Sequence, residues 1–364
     1  MDMASGHVRI GGLFIVLALI IGSLEACLRP RNADLFLLDW QVQDSGTAAS
    51  IRGISAVSES VCWFSGSGGT VARTTDGGAT WESQPVTGYE ALDFRDIQAF
   101  DADTALVLSA GRPGTILKTT DGGRSWLEAY SDDREGVFFN SMAFWDDLRG
   151  LAVGDPRDGR FLLIYTVDGG RTWAEVPFAD RPQALEGEAG FAASGTCLAV
   201  SEGGLAWFGT GGGAARVGRS EDYGIHWLMN LTPQLCGQAT QGIFSLDFRN
   251  GREGVLVGGD YQSPSITEHV AALTVDGGKT WTPVPSDGRG TGGYRSCVAF
   301  LPGSASITIA MGKEGADYSL NGGKVWTAIL LDDYYYCLSI SKRGKAGWAA
   351  GPDGRIARFL IRIR

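Results

Sequence analysis

The sequence is poor in histidine, in basic charge and in long apolar runs. Only three His occur, no CxxC pair is present, and the cysteines follow no zinc-ligand spacing. Glu268-His269 adds no metal-ligand spacing, so no cofactor or metal is expected. Lys and Arg number 31 against 41 Asp and Glu, a formal charge of −10. That balance argues against nucleic acid, whose phosphates need a basic face. Only one long unbroken apolar run stands out, Leu13 to Ile21 (LFIVLALII), shorter than the about 20 residues of a membrane span. No G-x-S-x-G elbow is present, and Gly209-Thr210-Gly211-Gly212-Gly213 lacks the strand-to-helix context of a phosphate loop.

Glycine, by contrast, is abundant. The 54 Gly in 364 residues are roughly 15%, about twice the usual share. Such a content disfavours a mainly helical chain. Apolar residues at 44% exclude general disorder and allow a sizeable core.

Arg9, the run Leu13–Ile21 and the small residues Gly22 and Ser23 predict a secretory signal. Leu24-Glu25-Ala26-Cys27 resembles a bacterial lipobox, with Glu25 an unusual occupant. This resemblance implies lipidation of Cys27; an uncleaved anchor and ordinary cleavage after Ala26 are the alternatives. The expected organisation is a signal over 1–27, a linker over 28–35 and one domain over 36–364. The domain is expected to be exported, in the periplasm or at the cell surface, and to meet the membrane only through that N-terminal tether. Cys62, Cys197, Cys236, Cys297 and Cys337 are an odd number. An oxidising compartment permits disulfides, but small buried residues are the preferred reading.

Internal repetition is the strongest signal. Thr75-Asp76-Gly77-Gly78-Ala79-Thr80-Trp81 recurs around Asp121, Asp168 and Asp276, each copy ending in Trp126, Trp173 or Trp281. Degenerate copies surround Asp222 and Asn321, ending in Trp227 and Trp326. The intervals are 45, 47, 54, 54 and 45 residues. This pattern resembles the Asp-box, or bacterial neuraminidase repeat, which implies an all-β seven-bladed propeller with each box turning between the third and fourth strands of a blade. Asp and Gly suit a tight turn with positive φ, and the Trp suits packing between blades. The box carboxylates are therefore structural.

Innermost strands are expected near Ile51, Phe94, Phe138, Gly190, Ile243, Tyr294 and Tyr335. The last repeat lacks an outer strand, and Trp40-Gln41-Val42-Gln43 aligns with Trp81-Glu82-Ser83-Gln84. The N-terminal segment is thus expected to complete the last blade, closing the ring and hiding sheet edges. A monomer is expected.

In propellers the inner strands start on the functional face, and the loops between second and third strands open there too. Aligning the inner strands puts Arg52, Arg95 and Arg295 at one register, beside Asp96 and Tyr294, with Tyr335 in the last blade. The loops add Arg112, Asp155, Arg157, Asp158, Arg160, Asp260, Tyr261, Lys313 and Glu314, and Glu188 precedes the fourth blade. Arginine forks suit carboxylates, phosphates and sugar acids, and Tyr suits sugar or aromatic stacking. These charges could also pair with each other and simply fill a polar channel.

The tandem TTDGGxxW boxes and the Arg at the heads of inner strands resemble the photosystem II stability/assembly factor-like propellers. Photosynthesis is not implied. The resemblance implies non-catalytic capture of a protein segment, or of an anionic or carbohydrate ligand, on the Arg-bearing face. A more distant resemblance to sialidase-type glycosidases implies the alternative. There Arg52, Arg95 and Arg295 would clamp a carboxylate, Tyr261 or Tyr294 would serve as the Tyr, and Glu188, Asp155 or Asp260 would be catalytic. The F/Y-R-I-P signature of that family is absent, Ser50-Ile51-Arg52-Gly53 being the nearest stretch. Xyloglucan-cleaving enzymes of the Asp-box group use two propellers, whereas this chain has one. A pair from among Asp96, Asp155, Glu188 and Asp260 at about 5–10 Å across an open pocket would favour hydrolysis; carboxylates all paired with Arg would favour binding.

Overall fold

A computed structural model describes residues 36–363, and Leu38–Ile361 forms one compact unit. The signal-like run, the lipobox with Cys27 and the linker 28–35 lie outside the described residues.

Seven sheets make seven blades. Blade 1 runs Ile51–Ala56, Cys62–Gly66, Thr70–Thr74 and Glu82–Pro85, each strand antiparallel to the last. The inner strands of blades 2 to 7 are Asp93–Ala99, Phe139–Phe144, Leu198–Ser201, Gln241–Arg249, Cys297–Phe300 and Cys337–Ile340. The N-terminal strand Phe36–Asp44 pairs with Arg355–Ile363 as the outer strand of blade 7, so the ring closes as expected. Trp40 stacks on Phe359 at 5.1 Å between ring centroids.

The boxes fold as local hydrogen-bonded units. Asp76 accepts the Thr80 amide (3.0 Å) and hydroxyl (2.7 Å). Thr74 Oγ1 donates to Asp76 (2.8 Å) and accepts the Gly78 amide (2.8 Å). Gly77 and Gly78 stand at φ 78° and 83°, the left-handed region that glycine adopts without penalty. The same bonds recur at Asp121, Asp168 and Asp276, and at Asp222 the His226 ring Nδ1 takes the place of the hydroxyl. Each box Trp packs against the preceding blade's side of its own sheet, as Trp126 meets Trp63 at 6.4 Å and Trp173 meets Phe144 at 5.8 Å. Apolar clusters straddle adjacent blades; Trp63 and Val71 of blade 1 pack with Phe94, Ile97 and Val107 of blade 2.

Two polar devices join the blades. Side chains on one inner strand accept amides of the next: Ser55 from Ala99 (3.1 Å), Asp96 from Met142 (2.6 Å), Asp247 from Phe300 (2.7 Å) and Ser339 from Ala56 (3.0 Å). Near the box side, cations on third strands reach the next blade: Arg73 to Ala102 O (2.8 Å), Lys118 to Gly169 O (2.6 Å) and Arg358 to Glu59 O (2.8 Å). Cys62, Cys197, Cys297 and Cys337 are buried and unbridged, and Cys236 is unbridged but exposed.

These carboxylates divide the pH scale. The Thr80 hydroxyl and amide and the Thr74 hydroxyl hold Asp76 down at about 2. Ser125 does the same for Asp121, also about 2. Burial instead pushes Asp96 up to about 7 and Asp247 up to about 6, against the hydrogen bonds they accept. Depressed groups lose their stabilisation as pH falls from about 4 towards 2; raised groups lose theirs as pH rises from about 4 towards 7. Stability should therefore fall on both sides of mildly acidic pH. Asp96→Asn should flatten the upper limb, read as urea midpoints at pH 4, 6 and 8. A constant offset from the parent protein across that range would refute the role given to Asp96.

One strand lies elsewhere than expected. The inner strand of blade 4 is Leu198–Ser201, not a strand from Gly190. Glu188–Ala189 and Gly211–Gly212 instead extend the blade 5 sheet to six strands.

Candidate functional site

Inner strands of blades 1, 2, 3 and 5 each carry a register shift, between Ile51 and Gly53, Phe94 and Asp96, Phe139 and Ser141, and Ile243 and Ser245. A bulge inserts one residue and re-aims its side chain. The residues so placed are Arg52, Arg95, Asn140 and Phe244. Arg52, Arg95 and Phe244 line a cavity of about 420 Å³ on the central face, together with Asp155, Tyr261, Tyr294, Lys313 and Tyr336.

Its floor is the segment following Ala189. Ala192 O accepts Arg95 (3.4 Å) and Ala193 O accepts Arg52 (3.4 Å). Ser194 donates to Ser296 O of blade 6 (2.6 Å), and Gly195 O accepts Ser141 of blade 3 (2.7 Å). The Thr196 hydroxyl meets that of Ser245 in blade 5 at 2.7 Å. The segment thus crosses the ring instead of joining blade 4. Its small residues explain the path: a Cβ on Gly195, at φ 67°, would stand 2.3 Å from an Asp96 carboxylate oxygen.

Arg52 lies over the Tyr336 ring, 4.5 Å from its centroid, and makes no ion pair among the described residues. Among the described residues Arg95 pairs only with Asp93 (2.7 Å), both about one-third exposed. Lys313 is exposed and has no partner among the described residues. Aromatic rings share the lining with these cations. Phe191 stacks on Phe244 at 3.9 Å, and Tyr294 and Tyr261 meet Phe244 edge-on at 4.8 and 6.1 Å. Burial raises the Tyr294 hydroxyl well above its ordinary range. The Asp155 carboxyl is also raised by burial, against hydrogen bonds from the Asn140 amide and Gly190 N, both 2.9 Å.

Several expected site residues serve elsewhere. Arg295 is not at the Arg52 register. Its amide bonds Gly258 O as Ile51 bonds Gly351 O and Ile243 bonds Thr210 O, so it stands one residue earlier. Its side chain turns into the blade, onto Asp317 at 2.5 and 2.7 Å. Tyr335 is shifted likewise: it is buried, its hydroxyl accepts Trp40 Nε1 (3.3 Å), and its neighbour Tyr336 lines the pocket. Asp96 is an inter-blade strut, not a surface group. Arg160 lies over Phe178 at 5.4 Å and donates to Ala179 O; neither it nor Arg157 lines the pocket. Arg112 and Glu314 are exposed away from the lining, as is Asp158.

The carboxylates named as catalytic are not arranged as a facing pair. Glu188 is sealed between Arg216 (2.5 and 2.9 Å), Thr210 Oγ1 (2.6 Å) and Leu185 N (2.8 Å). Asp260 accepts Gln262 N (2.9 Å), Ser263 N (3.3 Å) and Gln241 Nε2 (3.1 Å), shaping its loop. Asp155 alone of the three lines the pocket. Phe138, Phe191, Phe244 and Tyr336 were missed from sequence. The signal available for two of them was Ile243-Phe244 and Tyr335-Tyr336 standing where Ile51-Arg52 stands in blade 1.

Residues 33–134 match the family described as photosynthesis system II assembly factor YCF48. The chain resembles the YCF48 propellers. The matched stretch holds the closing strand, the first two blades and both pocket arginines. Among solved structures, YCF48 bound to D1 peptide is 17% identical, with a TM-score of 0.62 over 88% of this chain and 96% of that one. YCF48 from Cyanidioschyzon merolae is 17% identical, with a TM-score of 0.59 over 88% and 98%. The GH74 xyloglucanase from Xanthomonas campestris is also 17% identical, with a TM-score of 0.60 over 88% of this chain and 53% of the enzyme. At such identities the likeness establishes the propeller fold. No curated protein matches the chain.

Proposed function

We propose that the chain is a non-catalytic binding protein that captures a protein segment through an anionic group seated in the central pocket. The observation that carries this reading is the pair Arg52 and Arg95, aimed by bulges into one aromatic-walled cavity with Lys313 beside them. Guanidinium forks grip carboxylates bidentately, and the rings supply apolar contact area. The YCF48 propeller with its D1 peptide is a protein of this fold bound to a peptide segment. Most glycosidases place two carboxylates across the bond, and a sialidase-type site uses a Tyr with an arginine clamp and carboxylates; here Glu188 is held by Arg216, Asp260 by loop backbone, and Arg295 of the expected clamp by Asp317. Export, with a lipid tether at Cys27, is the cellular setting that goes with this reading.

The test is calorimetric titration with the dipeptide Phe-Glu-amide. Arg52→Ala and Arg95→Ala should each weaken binding about tenfold or more, the range of charge-assisted hydrogen bonds. Arg160→Ala, outside the pocket, should leave it unchanged. Equal affinity in all four proteins would overturn the assignment of the pocket. Turnover of aryl glycosides or xyloglucan, lost in Asp155→Asn, would replace it with the enzyme reading.

A further inference from the structure

The pocket that holds the arginines also holds a carboxylate they do not neutralise. Asp155 lies at the end of the second strand of blade 3, Gly150–Arg157, and its amide is fixed by Phe138 O (2.8 Å). One oxygen, Oδ1, receives both the Asn140 amide and Gly190 N. The other oxygen accepts no hydrogen bond from the described residues. Neither Arg52, Arg95 nor Lys313 comes within ion-pair distance of it, although all four residues line the same cavity. A half-buried carboxylate without a counter-ion among the described residues carries part of the cost of a buried charge, and a cation supplied from outside relieves it.

The surroundings fit such a cation. Asp155 stands beside Phe138, and the Gly190 that holds it is followed by Phe191, stacked on Phe244. Aromatic faces attract ammonium groups, most strongly where water is excluded. The ring of blades therefore separates two charge preferences. Blades 1 and 2, with Lys313 of blade 6, present cations to an anion; blade 3 presents Asp155 and Phe138, beside Phe191 of the floor, to a cation.

We propose, resting on the pocket assignment above, that Asp155 makes this site selective for a ligand carrying an ammonium group and a carboxylate on either side of an apolar body. A peptide segment with a free N-terminus or a basic side chain beside an acidic one has this chemistry; a simple anion has half of it. Asp155 is then a specificity-determining residue, and Arg52 and Lys313, with Arg95 already paired to Asp93, outnumber it and make the anionic end the stronger anchor.

The experiment compares three probes by calorimetry: Phe-Glu-amide, its N-acetyl form lacking the ammonium, and Phe-Gln-amide lacking the carboxylate. The parent protein should bind Phe-Glu-amide about tenfold tighter than the acetyl form. Asp155→Asn should erase that ratio while binding the acetyl form at least as well as the parent does. Asp155→Glu, which keeps the charge, should restore part of the ratio. Arg52→Ala should weaken both carboxylate probes and leave their ratio intact. An unchanged ratio in Asp155→Asn, or a parent protein that prefers the acetyl form, overturns the role of Asp155 alone. Failure of both carboxylate probes to bind the parent overturns the pocket assignment itself.

Discussion

Asp317→Ala should lower the unfolding free energy by about 3–5 kcal/mol. The side chains of Arg295 and Asp317 are 2% and 4% exposed, and Asp317 is the only carboxylate paired with Arg295 among the described residues. Removing the carboxylate leaves a guanidinium buried with a single hydrogen bond, to Tyr294 O at 2.8 Å. The loss comes from that stranded charge more than from the pair's own net worth. The double variant Arg295→Met/Asp317→Leu should consequently be closer to the parent protein than Asp317→Ala is. Urea midpoints measure both. A single variant within about 0.5 kcal/mol of the parent, the scale of an ordinary surface change, would sink this account. The effect should also reach the pocket, because Arg295 holds the carbonyl of Tyr294, whose ring stands against Phe244.

Trp40→Ala should be comparably severe, about 3 kcal/mol, the lower end for loss of a buried aromatic because Trp40 is only partly covered. Its ring joins the N-terminal strand to Phe359 and to Tyr335, which it meets edge-on at 5.3 Å. Loosening that strand uncovers the edge of Arg355–Ile363, an invitation to pairing with another chain. Hydrogen exchange should accelerate in Ala346–Ala350 and Arg355–Ile363, with Leu205–Gly209 of blade 4 left protected. Uniform acceleration around the ring would show instead that closure is not where the cost falls.

Local chemistry is what the sequence made legible. A box is a turn whose bonds lie within seven residues, so its Asp, Gly and Trp could be read without knowing the rest of the chain. Closure was legible for the same reason: Trp40-Gln41 repeats Trp81-Glu82. Partnerships across many residues were not. Glu188 looks like a loose carboxylate until Arg216 and Thr210 are brought to it. Asp96 looks like a neighbour of the arginines until it proves to hold the amide of Met142, 46 residues away. Arg295 and Tyr335 were displaced by a single position, because a bulge adds one residue in some inner strands and not in others, and composition carries no mark of it. Gly190 begins where the repeat places an inner strand, and only the packing of five blades around Gly190 to Thr196 diverts it across the axis.

That diversion changes what kind of object can occupy the ring. An open channel would let an extended chain pass from one face to the other. Ala192 and Ala193, bonded to Arg95 and Arg52, lie in the path of such a chain. A ligand of the proposed pocket is therefore a chain end, a side chain or the tip of a turn, and not a strand threaded from face to face.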